Sequence, residues 1–93
     1  MFRRMPGLRI TLDQWQALVT VVDAGGYAQA ATRLNKTQST VSYAVQKIEV
    51  LLDVKVFEIQ GRKAVLTPAG AVLYRRGKAL VDDADRVEKS AAS

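Results

Sequence analysis

Gln38, Ser39, Ser42, Tyr43, Gln46 and Lys47 place hydrogen-bonding side chains, with no carboxylate among them, along a stretch where Val41, Val45, Ile48 and Leu52 keep the i, i+4, i+7, i+11 spacing of one buried helical stripe. At about 100° per residue, Ser39, Tyr43 and Gln46 fall opposite that stripe, Ser42 and Lys47 lie on its flanks, and Gln38 sits in the first turn. Hydroxyl, amide and phenol groups on one helix face are the donors and acceptors that can read base edges in a major groove. A face serving solubility alone would more often carry Glu and Lys. Further along, Gln60-Gly61-Arg62-Lys63 forms a polar turn with two cations at its tip. The negative potential of a minor groove rewards a guanidinium placed there.

Other chemistry is excluded by what the chain lacks. It has no His and no Cys, which removes imidazole acid-base catalysis, thiol nucleophiles, disulfides and Cys or His metal sites together. The acidic cluster Asp82, Asp83, Asp85 and Glu88 could hold a hard cation through oxygen ligands. Its spacing favours another reading, because Asp82 with Arg86 and Asp85 with Lys89 are i, i+4 pairs on a solvated helix face. No enzymatic activity, metal or cofactor is expected. With 93 residues, 48% of them apolar, the chain suffices for one small domain. Its 14 Lys and Arg against 9 Asp and Glu leave +5, and the basic excess falls between residues 33 and 81. An anionic partner follows, with nucleic acid first. No apolar run approaches the length of a membrane span, and a soluble cytoplasmic protein without a membrane partner is expected.

The elements that position these residues can be read from caps and periodicity. Thr11 can cap a helix carrying Leu12, Trp15, Leu18, Val19 and Val22 at helical spacing, and Gly25-Gly26 ends it. Tyr27 to Leu34 is a second, alanine-rich helix with Ala28, Ala30, Ala31 and Leu34, small enough for close packing. Asn35-Lys36-Thr37 is a short joint, and Thr37 caps a third helix running to about Leu52. Val56, Phe57 and Ile59, then Val65 to Thr67, have strand character on either side of the basic turn. Thr67-Pro68 starts a long helix toward Ser93, in which Leu73, Gly77, Leu80, Ala84, Val87 and Ala91 alternate spacings of four and three, the seam of a coiled-coil-like contact. Arg75, Arg76 and Lys78 on that helix suit solvent or a DNA backbone equally. Trp15 and Phe57 fall on apolar stripes and belong to the core. Met1 to Ile10, with Arg3, Arg4 and Arg9, reads as a loose arm.

The expected architecture is mainly α: a winged helix-turn-helix of three helices and a two-stranded wing, followed by a long linker helix. It divides into an arm over residues 1–10, a DNA-binding unit over 11–67 and a linker or dimerisation helix over 68–93. Two other readings fit the spacing: a helical bundle whose polar face is merely wet, and an adaptor whose wing and helix face bind protein. Salt separates them from DNA binding, because phosphate neutralisation releases counterions and an apolar interface does not.

The run Ala30-Ala31, Leu34, Thr37-Gln38-Ser39-Thr40-Val41-Ser42, Ile48-Glu49, Leu51-Leu52, Val56-Phe57 and Leu66-Thr67-Pro68-Ala69-Gly70 resembles the LysR-type transcriptional regulators, over roughly Leu12 to Val87. The resemblance implies a bacterial regulator in which such a winged domain and linker helix precede a larger effector domain, through which alone a small-molecule effector would act. It implies that linker helices pair antiparallel into a homodimer, that the full-length protein is a tetramer, and that two recognition helices enter successive major grooves of an inverted-repeat operator. Carried onto this sequence, it assigns Gln38, Ser39, Ser42 and Tyr43 to bases or phosphates, Thr37 and Thr40 to supporting phosphate contacts, Arg62 to the minor groove and Arg33 to a phosphate. Three positions depart from the family pattern. Ile59 stands where arginine is usual and implies weaker phosphate clamping, Gly26 stands for a serine, and Asp53 for a glycine. The chain is expected to be part of a longer regulator, since it stops near the end of the linker helix.

Overall fold

Each threonine expected to start a helix does so. The computed structural model describes residues 8–91, and its elements run α1 (Leu12–Ala24), α2 (Tyr27–Leu34), α3 (Gln38–Leu52), β1 (Phe57–Gln60), β2 (Lys63–Leu66) and α4 (Pro68–Ser90). Thr11 and Gln14 form a reciprocal box, Gln14 N–H donating to Thr11 Oγ1 at 3.1 Å and Thr11 N–H to Gln14 Oε1 at 2.9 Å. Thr37 Oγ1 accepts from Thr40 N–H at 3.1 Å, and Thr67 Oγ1 from Gly70 N–H at 2.9 Å. These hydroxyls satisfy amides that the first turn leaves without a partner.

The first three helices also end alike. Gly25, Asn35 and Asp53 adopt left-handed φ of 90°, 56° and 54°. The following N–H then reaches back five residues: Gly26 to Val21 O, Lys36 to Ala31 O and Val54 to Glu49 O. This closure turns the chain sharply, so α2 follows α1 and α3 follows α2 with only a few residues between them.

α1 is the hub, packing against α2, α3 and α4. Leu18, Val41, Val45, Ile48 and Val56 are the largest fully buried side chains, each contributing about 1.5–3 kcal/mol on removal from water. The α3 stripe is as its spacing predicts, with Ala44 added to the buried set and Leu52 only half-buried. Ala30 and Ala31 are buried, as close packing of α2 requires. Trp15 and Phe57 are partly buried against the core. Among the described residues no polar or charged residue is buried, and no helix is long and apolar enough to cross a membrane.

The wing is a hairpin in register Phe57↔Leu66 to Gln60↔Lys63. Its turn is narrower than the sequence suggests: Gly61, at φ 63°, and Arg62 alone lie between the paired strands, while Lys63 is already in β2. Two ties hold the wing's root to the helices. Glu49 Oε2 accepts from Val56 N–H at 2.9 Å, and Tyr27 meets Phe57 edge to face with ring centroids 6.2 Å apart. The Thr67 hydroxyl donates to Lys55 O and its N–H to Val56 O at 2.9 Å, which seats the start of α4 on the chain entering β1.

α4 divides the seam expected on it. Leu73 packs on the core and Gly77 is buried against Trp15 and Val19 of α1, so these two are used within the chain. Leu80 and Val87 remain 47% and 71% exposed, with Ala84 half-buried between them. Of the acidic pairs, Asp85 meets Lys89 at 2.9 Å as expected, but Arg86 pairs with Asp83 at 2.5 Å rather than with Asp82. Positions three apart are as close on a helix surface as positions four apart. Arg3 and Arg4 of the expected arm lie outside the described residues. Arg9 donates to Leu51 O at 2.9 Å, a cation at the negative end of α3.

Candidate nucleic-acid interface

The outer face of α3 is polar because its apolar positions are spent on the core. Gln38, Ser39, Ser42, Tyr43 and Gln46 line one open, shallow depression on that face. Tyr43 is 59% exposed, while Ser42 and Lys47 are half-buried on the flanks. The only carboxylate of α3, Glu49, is turned to the wing's root and accepts from Val56 N–H. The depression itself is therefore lined by no carboxylate and offers donors and acceptors, while Glu49 and Asp53 border Gln46 in a neighbouring recess and Asp13 lies beside Thr40 and Tyr43 in another.

The helix enters this face by its N-terminus. Thr37 caps it, and the Thr37 and Thr40 hydroxyls share a hydrogen bond of 2.8 Å. Both hydroxyls are on exposed residues, beside amides carrying the positive end of the helix dipole. Arg33 is exposed in the last turn of α2. Arg62 and Lys63 are exposed at the wing tip. None of the three ion pairs found among the described residues involves Arg33, Lys47, Arg62 or Lys63. By contrast, Lys78 is held by Asp23 at 3.3 Å, and its ammonium pKa is raised by that hydrogen bond and charge.

The residues singled out from the sequence for DNA thus fall in three places: the α3 face with its cap, the end of α2 and the wing tip. Lys36 joins them without having been singled out. It is exposed in the joint between α2 and α3 and lines a recess with Asp13, Gln14, Thr40 and Tyr43; its signal was a cation directly before a helix cap. Ile59, on the same strand face as Phe57, is 72% exposed. It borders an apolar cleft of about 410 Å³ with Tyr27, Phe57 and Leu66. The wing edge that carries Ile59 is accordingly apolar where an arginine would present charge.

This arrangement has relatives. Residues 12–71 match the bacterial regulatory helix-turn-helix protein, lysR family. The chain is 33% identical over 82 residues, 88% of its length, to a probable HTH-type transcriptional regulator of Escherichia coli, YhaJ, and spans 28% of that protein. Its structure is similar to OxyR of Corynebacterium glutamicum, with a TM-score of 0.83 and 32% identity over 95% of this chain and 28% of that one. It is also similar to the BenM DNA-binding domain solved on catB site 1 DNA, with a TM-score of 0.77 and 25% identity over 86% of each chain. A capped polar helix behind a tight joint, followed by a wing and a long helix, is common to this fold, and the match over residues 12–71 covers all of it but the rest of α4: the chain belongs to the lysR family of bacterial regulatory helix-turn-helix proteins.

Proposed function

We propose that the chain is a sequence-specific reader of double-stranded DNA, with α3 in the major groove, the Arg62 and Lys63 wing tip in the adjacent minor groove and two copies on an inverted repeat. The observation that carries this reading is the depression on α3 that Gln38, Ser39, Ser42, Tyr43 and Gln46 line with no carboxylate among them, while the Glu49 carboxylate is engaged by Val56 N–H. Side chains of these types discriminate base pairs by their edges, and Arg33 and Lys47, in no ion pair among the described residues, add phosphate contacts that position without specifying. Thr37 and Thr40 support the phosphate at the helix start. The likeness to the BenM domain, solved on DNA, supports the same docking.

The dimer would form through α4. Leu73 and Gly77 fix that helix to its own domain, and Leu80, Ala84 and Val87 supply the surface for the partner. Two-fold symmetry then dictates a palindromic site. In a full-length regulator, the effector response and a tetrameric assembly would belong to the domain beyond this chain, and the site of action would be the bacterial cytoplasm.

Selection from a random double-stranded pool, followed by titration of the winner and a scrambled control at several salt concentrations, tests the reading. An interrupted palindrome bound at least about a thousandfold better than the control, with affinity falling steeply as salt rises, is expected. Equal binding of winner and control, or affinity indifferent to salt, overturns it.

A further inference from the structure

α4 and α1 cross at a point with no side chain of its own on α4. A Cβ added to Gly77 would lie 3.3 Å from Trp15 Cε3 and 3.5 Å from Val19 Cγ2, so the two helices already touch. The glycine contact sets the distance between the helices, and Leu73, one turn earlier, packs on the core. A polar tie lies beside them. Tyr74 Oη donates to Asp23 Oδ1 at 2.5 Å, and Lys78 Nζ approaches Asp23 Oδ2 at 3.3 Å, so two α4 residues one turn apart take the two oxygens of one carboxylate.

Asp23 sits in the last turn of α1, with no basic residue in that turn. A carboxylate there opposes the helix dipole, and an exposed ion pair adds little stability. Asp23 thus adds little to α1 itself, and both of its side-chain contacts run to α4, so what they bear on is the placement of that helix. Because α1 also packs against α3, it refers the recognition helix and the dimerisation helix to one rigid body.

We infer that Asp23, gripped by Tyr74 and Lys78, is a positioning residue that sets the angle of α4 to the recognition helix and thereby selects the spacing between half-sites on DNA. The inference rests on the DNA-reading dimer proposed above. Leverage makes the angle matter: from Gly77 to Ser90 the helix rises about 20 Å, so a swing of about 10° at the crossing moves its far end by roughly 3.4 Å, the rise of one base pair.

The test uses the half-site recovered by selection, arranged as inverted repeats with spacers shortened and lengthened by one and two base pairs, and also offered singly. The wild type is expected to prefer one spacer over its neighbours by about tenfold, a difference in the range a single base-pair error costs. Asp23→Ala, and separately the pair Tyr74→Phe with Lys78→Gln, should reduce that preference to about threefold or less while single half-site affinity stays within about twofold. Lys78→Arg, which retains a donor, should keep the wild-type preference. A tenfold preference surviving in Asp23→Ala overturns the inference, as does a parallel loss of single half-site affinity, which would mark general damage. A wild type that recovers paired half-sites but is indifferent to their spacing overturns it and leaves DNA reading standing. A wild type that recovers no site overturns both.

Discussion

Gly70 lies so close to Val56 that a Cβ added to it would collide with the Val56 carbonyl oxygen. That oxygen already accepts from Thr67 N–H at 2.9 Å, and it belongs to a residue with no exposed surface, so neither partner can retreat. The close approach explains why Leu66-Thr67-Pro68-Ala69-Gly70 needs glycine in the first turn of α4. Gly70→Ala is expected to destabilise the domain by about 3 kcal/mol, at the upper end of overpacking. Chemical denaturation checks it; a loss under about 1 kcal/mol would show that α4 shifts freely.

Asp53 closes α3 at φ 54°, a conformation that crowds any Cβ. Asp53→Gly should raise stability by roughly 0.5–1 kcal/mol, and Asp53→Ala should lower it by a similar amount, because alanine lacks the short polar side chain that eases the left-handed turn. Equal melting of the two variants would contradict this.

Gly26 caps α2 with an extended backbone and no side-chain hydrogen bond. A Cβ there would meet only the far end of the Gln29 side chain, which can swing aside. Gly26→Ser should therefore stabilise by about 0.5–1 kcal/mol, from a gained cap and a less flexible unfolded chain. Thermal unfolding measures it, and a drop in melting temperature would refute the open-space reading.

The Tyr27 phenol has its pKa raised above the ordinary 10.0, first by burial and then by the nearby charge of Glu49. Tyr74 is raised through its hydrogen bond to Asp23, and Lys78 is raised above 10.5 by the same carboxylate. For all three the folded value exceeds the unfolded one. Their contribution to stability is thus complete below about pH 10 and is lost as pH rises through the folded values. Denaturation midpoints should hold level up to about pH 9 and fall above pH 10, and Tyr27→Phe should flatten part of that fall. An unchanged alkaline slope in Tyr27→Phe would exclude the buried phenol as its source.

On DNA, the helix and the wing should fail differently. Ser42→Ala and Tyr43→Ala should alter which base is selected at one position, each costing about 1–3 kcal/mol on the preferred site. Arg62→Ala should weaken binding to many sequences alike and reduce the salt slope by about 1. Parallel selections with the three variants decide it, and unchanged base choice in both helix variants would remove α3 from the groove.

Local features were legible without the fold. The caps at Thr11, Thr37 and Thr67 and the two faces of α3 each depend on neighbours within about one or two helical turns, so their residue types and spacing determine them. The polar face is readable for the same reason, since whatever opposes a buried stripe must be outside.

Tertiary packing decided the rest. Spacing on α4 described one continuous seam, but only the crossing with α1 reserves Leu73 and Gly77 for the chain itself and leaves Leu80 and Val87 open. The role of Glu49 depends on Val56, seven residues on, being folded back beneath it. Asp23 meets Tyr74 and Lys78 across 51 and 55 residues, a distance in sequence over which no periodicity acts. Sequence alone determined which residues could cap a helix, which would be buried and which face would be polar; the packing of α1 against its three neighbours determined which partners they meet, because contact between distant side chains exists only after the chain has closed on itself.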